Sequence, residues 1–531
     1  MKKLLCLFIL VLTLSNGHAQ RVYDARIGGK EILTPLPNKE PRINGPKVYG
    51  ARPGKEFVFR IPCQGERPMK FEIVGLTNQL ILDTDKGIIT GNVPEGKGEY
   101  PMRITASNKY GKVSREFKLV VGDKLALTPP TGWNSWGGHM LMVTDGIMRK
   151  TADVFVEKGF ADVGFQYISI DDCWMKTSKE SFEARKDYKK KQHEGFSFDG
   201  LVGEVRNTEG NVIPNSNFPD MKAMTDYIHS FGLKAGIYSS PGPYTCQNFE
   251  GSLGYEKRDA DQYANWGFDL LKYDLCSGNS CLKCIRNINE SYPQSALWQP
   301  MATYLSLQDR DILFNLCQYG FEDPWTWAPD LGISTWRTGG DLNHHVENYF
   351  KEALRISTEL RAYSKPGQWN DPDFMYIHKL RDFRKMVDPS QEIALNTNQR
   401  YQYVTLWSVI CAPFFFSCDI NEIDEFTIRL LANAGVMNIN QDALGHVAET
   451  IKNKNDEVIM LKRLADGSKA LAVFNTSAVD EKVIDFDLKT MGLNSSIQVY
   501  DVWRQDDLGT VAERMSIRLS PNGVGLFILK Q

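Results

Sequence analysis

Three patterns of apolar and polar positions succeed one another along the chain. Between residues 20 and 124, short apolar stretches alternate with polar positions at 57–61, 71–74, 80–82, 88–89, 102–106 and 117–121. Turn-forming runs part them, among them Asp85-Lys86-Gly87 and Asn108-Lys109-Tyr110-Gly111. Short strands at such spacing predict a β-sandwich of about one hundred residues. From 125 to 445 the period lengthens. Asp220 precedes Met221, Met224, Ile228 and Phe231, which share one helical face, and Gly232 is placed to end that helix. A strand at 234–238 follows, with others predicted at 132–136, 167–170, 269–273, 311–316, near 335, near 368 and at 408–416. Eight strands alternating with helices over about 320 residues predict a (β/α)8 barrel with its site at the C-terminal strand ends. From 446 to 531 alternation returns at 459–464, 470–474, 483–488, 497–503, 515–519 and 525–529, predicting an antiparallel β-domain packed on the barrel.

The head of the chain departs from all three patterns. Lys2 and Lys3 precede an apolar run over 4–14, and small residues follow at Gly17 and Ala19. This is the layout of a secretory signal peptide over 1–19, and the run is too short for the ~20 apolar residues of a membrane span. Export to the periplasm or beyond is expected. The remaining composition, 42% hydrophobic and 24% charged with a net charge of -3, is globular and lacks the basicity of a nucleic-acid binder. No nucleic acid and, after signal cleavage, no membrane is expected as partner. The run KDYKKK at 186–191 reads as solvated surface in an insertion after the second barrel strand.

Ten cysteines become nine once Cys6 leaves with the leader, so at least one thiol is unpaired within a chain. Cys281 and Cys284 form a CxxC beside Cys276, but no second pair or nearby histidine completes a zinc set. In an exported chain they read as a local disulfide or as buried thiols.

The predicted strand ends are rich in carboxylates and aromatics: Trp136, Asp171 with Asp172, Asp274, Asp341, and Asp371 with Asp373. No histidine lies at a predicted strand terminus, so neither a metal nor another cofactor is expected. Paired carboxylates framed by tryptophan suit glycoside hydrolysis, in which one carboxylate attacks the anomeric carbon and a carboxylic acid protonates the leaving oxygen. Strand-end aspartates also serve as structural caps, and the residues alone leave both readings open.

Seven motifs narrow the choice. LTPPTGWNSW (127–136), YISIDDCW (167–174), KAGIYS (234–239), LLKYDLC (270–276), WRTGGD (336–341), WNDPD (369–373) and NINQDALG (438–445) follow one another in this order. In them the chain resembles glycoside hydrolase family 27, the family of α-galactosidases and α-N-acetylgalactosaminidases. The stretch 82–111 in turn resembles the immunoglobulin-like modules appended to bacterial surface and secreted proteins, which implies a spacer or support over 20–124. The family resemblance implies that Asp274 is the nucleophile and that Asp341, ending an Arg337-x-x-x-Asp motif, is the acid/base. Lys272, two residues before Asp274 on one strand, faces the same interior, and its ammonium favours the ionised carboxylate. Retention through a covalent intermediate follows, with carboxyl groups ~5.5 Å apart.

Trp136, Asp171, Asp172, Tyr238, Lys272, Arg337 and Asp373 match substrate-binding positions of the family. Asp171 and Asp172 suit the 4- and 6-hydroxyls of galactose. In FNLCQYG (314–320), Gln318 stands where α-galactosidases commonly have the Glu of Cys-Glu-Trp, so an amide is expected to read the sugar's 2-position. Space near Gly320 keeps an α-N-acetylgalactosaminide as an alternative. A β-L-arabinopyranoside is another, though the intact aspartate pair favours a hexose. The resemblance also implies a Cys246–Cys276 disulfide and leaves Cys173 and Cys317, whose usual partners are absent, as free buried thiols. The expectation is a retaining exo-α-galactosidase acting on terminal α-linked galactose of oligosaccharides or polysaccharide side chains. A non-catalytic carbohydrate-binding protein would be expected to lose Asp274 or Asp341, and both are present.

Overall fold

A computed structural model describes residues 22–185, 198–342, 345–381, 391–493 and 496–531. The leader at 1–19 and the charge run at 186–191 lie outside the described residues. Among these, no helix is long and apolar enough to cross a membrane.

The centre of the molecule is a nine-stranded parallel sheet curled into a TIM-like barrel. Its first six strands are Thr131–Asn134, Tyr167–Ser169, Lys234–Ser239, Leu270–Asp274, Leu313–Cys317 and Thr335–Arg337. Trp369–Asp371 comes seventh, and Phe414–Ser417, eighth, returns to pair with Thr131 to Trp133. The ring closes through Met375–Tyr376, which pairs with Phe416 and Ser417 just beyond the seventh strand. Asp373, at a φ of 118°, turns the chain between these two pieces. Every residue of the eight strands is buried, as expected for parallel strands covered on both faces. Gly132 is required here, because a Cβ would lie 2.4 Å from the Tyr167 carbonyl oxygen on the neighbouring strand.

The helix expected after Asp220 forms over Met221–His229. The Asp220 side chain caps it by accepting from the Ala223 amide, and Met221, Met224 and Ile228 are buried. The eighth strand is shorter than expected, because residues 408 and 409 end the helix Thr397–Val409. A capping box at Asn396 and Gln399 starts that helix, which is buried all round from Arg400 onward. An apolar run of this kind carries no periodicity to tell helix from strand.

Residues 48–121 form two sheets around one apolar cluster that includes Phe57, Phe59, Phe71, Ile104, Phe117 and Leu119. One sheet orders Val48–Ala51, Gly111–Val121, Gly98–Asn108 and Lys70–Val74, and the other Glu56–Arg60, Ile88–Asn92 and Leu80–Asp83. Their boundary differs from the expected residue 20. Val22–Asp24 pairs with Arg514–Leu519 at the far end of the chain, Ala25 enters that domain's core, and Ile27 and Leu33 join the barrel core. Residues 22–33 carry too few alternating apolar positions to build a layer of their own, and they find partners elsewhere.

The N-terminal sheets rest on the floor of the barrel. Arg52 Nε lies 2.6 Å from Asp311 Oδ1, just ahead of the fifth strand. Arg310 bridges Glu56 and Asp269, which just precedes the fourth strand. The C-terminal domain has a six-stranded antiparallel sheet whose alternate residues face two ways. Val458, Met460, Ala472 and Phe474 join the barrel core, while Ile459, Leu471, Val473 and Phe527 face the domain's own interior.

Candidate active site

A cavity of about 100 Å3 opens where the barrel strands end. Trp136, Asp171, Asp172, Tyr238, Lys272, Asp274, Arg337 and Asp341 line it, all expected from the sequence. Cys246, Gln247, Tyr319 and Tyr376 complete its wall. A larger cleft of about 690 Å3, bordered by all three domains, contains none of the expected residues.

Asp274 ends the fourth strand and is held at both oxygens. Tyr319 donates its hydroxyl to Oδ1 at 2.7 Å, and Tyr238 donates to Oδ2 at 3.2 Å. Burial lifts its pKa to about 6, with Lys272 and the Tyr319 bond pulling down and Asp341 and Asp171 pushing up. The ammonium of Lys272 therefore acts in the expected direction, but burial outweighs it. Its hydrogen bond goes elsewhere, to Asp171 Oδ2 at 2.7 Å.

Asp171 and Asp172 follow the second strand. Asp171 also accepts from Asn134 Nδ2 at 2.9 Å and from the Asp172 amide at 2.9 Å. Asp172 accepts from the amides of Cys173 at 2.7 Å and Gln247 at 3.0 Å. Burial, with Asp171 adding its charge, lifts Asp172 to about 7. The pair is fixed from behind by backbone, amide and ammonium donors.

Arg337, in the sixth strand, ties the opposite wall. It donates to Asp341 Oδ1 at 3.2 Å and to the Gly340 carbonyl at 2.8 Å, and its other terminal nitrogen lies 3.2 Å from Asp373 Oδ1. The Asp341 side chain is 37% exposed, against 3% for Arg337, so Asp341 is the carboxyl at the open side. Asp373 is not in the cavity wall. It stands behind Arg337 and accepts from the amides of Leu342 and Phe374, each at 2.7 Å. Burial lifts it to about 7.

A sequence model described as alpha galactosidase A matches residues 128–198 and 183–442, and one for the alpha galactosidase C-terminal beta sandwich domain matches 454–529. The α-galactosidase of Cyamopsis tetragonoloba is 31% identical over 76% of this chain and 87% of its own. The chain belongs to glycoside hydrolase family 27. It is accordingly a glycosidase. α-Galactosidase 2 of Arabidopsis thaliana is 31% identical over 78% of this chain and 92% of its own. Among solved structures, one from Bacteroides fragilis, provisionally described as an α-galactosidase/melibiase, superposes with a TM-score of 0.80 at 31% identity. The match covers 94% of this chain and all of that one, which leaves too little uncovered to omit the N-terminal sheets. α-Galactosidase I from Mortierella vinacea gives a TM-score of 0.63 at 25% identity, over 77% of this chain and 99% of its own.

The loop after the fifth strand departs from the expected arrangement. Gln318 is fully buried and turned out of the cavity, its amide donating to the Phe321 carbonyl at 3.0 Å. Tyr319, at a φ of 65°, is the residue the loop presents instead. The space expected near Gly320 is absent, since a Cβ there would lie 2.2 Å from the Thr338 carbonyl oxygen. No periodicity announces this exchange, because a positive φ breaks the strand alternation at that step. The adjoining Cys-Gln-Tyr-Gly departure was the one legible signal. Tyr376, Cys246 and Gln247 reach the cavity from separate parts of the chain and had no signal of their own as liners.

Cys246 and Cys276 are joined in the expected disulfide, at a Cα separation of 4.7 Å. Among the described residues the candidate metal-ligand cluster is Cys246, Asp274 and Cys276, and two of its three donors are engaged in that bond. Cys173 and Cys317 are free and buried, as expected. Cys281 and Cys284 form no local bridge; they lie on the helix Gly278–Arg286, Cys281 half-buried and Cys284 exposed. A single helical turn separates them, and the helix faces them to different degrees of solvent.

Proposed function

We propose that this protein is an exported, retaining exo-α-galactosidase that removes terminal α-linked galactose from oligosaccharides or polysaccharide side chains. The observation that carries the reading is Asp274, held at both oxygens by phenols, in one cavity with Asp341 on its more open side. Asp274 attacks the anomeric carbon while Asp341 delivers a proton to the leaving oxygen. Asp341 then takes a proton from water, which cleaves the glycosyl ester with the original configuration restored. Asp171 and Asp172 accept from the 4- and 6-hydroxyls, and a sugar that lacks either group, or presents it in another direction, forfeits that bond. The Cyamopsis and Arabidopsis relatives, both described as α-galactosidases, support this sugar over its alternatives.

The leader pattern at 1–19 supports export. The parallel pairing of the first sandwich strand with its last, and the two sheets about a shared core, support an immunoglobulin-like module. Parallel assays on para-nitrophenyl α-galactoside, α-N-acetylgalactosaminide and β-L-arabinopyranoside test the substrate. Turnover should be fastest on the first, with α-galactose as the initial product by NMR; inactivity on that glycoside would defeat the reading.

A further inference from the structure

Tyr319 lies outside the seven collinear motifs, yet its hydroxyl makes the shorter of the two phenol contacts with Asp274, 2.7 Å against 3.2 Å for Tyr238. The two phenols reach Asp274 from different elements, the third strand and the loop after the fifth. Burial, reinforced by the Asp274 charge, holds both well above the ordinary tyrosine value, so each is a donor and the carboxylate is their acceptor. The loop is built around this contact. Tyr319 sits in the left-handed region, which a bulky residue enters only where its surroundings compel it. Gln318 ties the loop to Phe321, and the Phe321 ring meets the Tyr319 ring edge-on at 6.2 Å.

We propose that Tyr319 is a positioning residue: its phenol fixes the Asp274 carboxylate for attack. The proposal rests on the glycosidase reading of Asp274.

Several charged or titratable groups face Asp274. Lys272 is on its own strand, Asp171 follows the second strand, Tyr238 is on the third and Cys317 ends the fifth. Arg337 is on the sixth strand, with Asp341 beyond it. Of these, Lys272 and the Tyr319 bond favour the ionised carboxylate, while Asp341 and Asp171 oppose it. Removing the phenol should therefore raise the Asp274 titration.

The test is an infrared difference titration without substrate, following the carboxylate band that disappears in Asp274→Asn. Tyr319→Phe should move its midpoint up by about one pH unit, the scale of a hydrogen bond to a charged group. The acid limb of kcat/KM should move with it, on whichever of the three aryl glycosides the wild type cleaves, and kcat should fall about 10- to 100-fold. Phe321→Leu, which disturbs the same packing but keeps the phenol, should leave the midpoint in place. An unmoved midpoint in Tyr319→Phe, or an equal shift in Phe321→Leu, would overturn the proposal. Wild-type inactivity on all three glycosides would instead defeat the substrate reading, and the titration would still decide the role of Tyr319.

Discussion

As the proposed nucleophile Asp274 must be an anion, and it stands where anions are costly. Its carboxyl titrates at about 6 in the folded protein against 3.8 when exposed. Between those values the folded protein retains a proton that the unfolded chain releases. Stability therefore falls as pH rises through that window and stays lowered above it, by about 3 kcal/mol for a shift of this size. Asp172 and Asp373, each lifted to about 7, extend the same slope toward neutrality. Asp274→Asn should consequently abolish turnover while making the protein more stable than wild type at pH 7.5, with little gain at pH 4. Urea melts at the two pH values check both the sign and the size. A variant less stable than wild type at pH 7.5 would mean that the phenol bonds outweigh the burial of the charge. At this scale the sequence was most informative where a motif places one residue on a strand. It did not show that Gln318 and Asp373 lie outside the cavity wall, because their orientations depend on a positive φ within or next to them.

At the scale of elements, the barrel was legible because its parallel strands announce themselves as short apolar runs between capped helices. Asp220 shows how little is needed: one side chain accepting from Ala223 starts the helix whose Met224 and Ile228 pack beneath the barrel wall. Asp220→Ala should cost about 1 kcal/mol in chemical denaturation and leave kcat/KM unchanged, because the cap lies on the outer layer. The helix Thr397–Val409 shows the opposite case. Buried on nearly every side, it has no polar face, and its last two residues read as the start of the strand beyond it. The strand Glu449–Lys454 has no buried residue, and without an apolar face it left no pattern to find.

For the whole molecule, three domains share two long-range seams. The sandwich sits at the floor of the barrel, remote from the strand ends that carry Asp274 and Asp341. Asp311→Ala removes the carboxylate that receives Arg52. It should lower the melting temperature and leave the KM for the aryl α-galactoside unchanged; a rise in KM would mean that the sandwich reaches the mouth. The second seam could not be read from sequence, because Val22–Asp24 pairs with residues almost five hundred positions away. Deleting residues 22–33 removes the buried Ile27 and Leu33, an upper estimate of about 3–6 kcal/mol from their area alone. Differential scanning calorimetry of the truncated protein should show that loss.

That second seam also sets an order of events during synthesis. The partner of Val22 is Ser516, and at ~5–20 residues per second the ribosome needs roughly 25–100 s to reach it. The sandwich is complete in sequence long before then, and the barrel about seventy residues earlier. The opening segment must wait, unpaired, while most of the protein can already fold, and the first strand made takes its place only when Arg514–Leu519 emerges to pair with it.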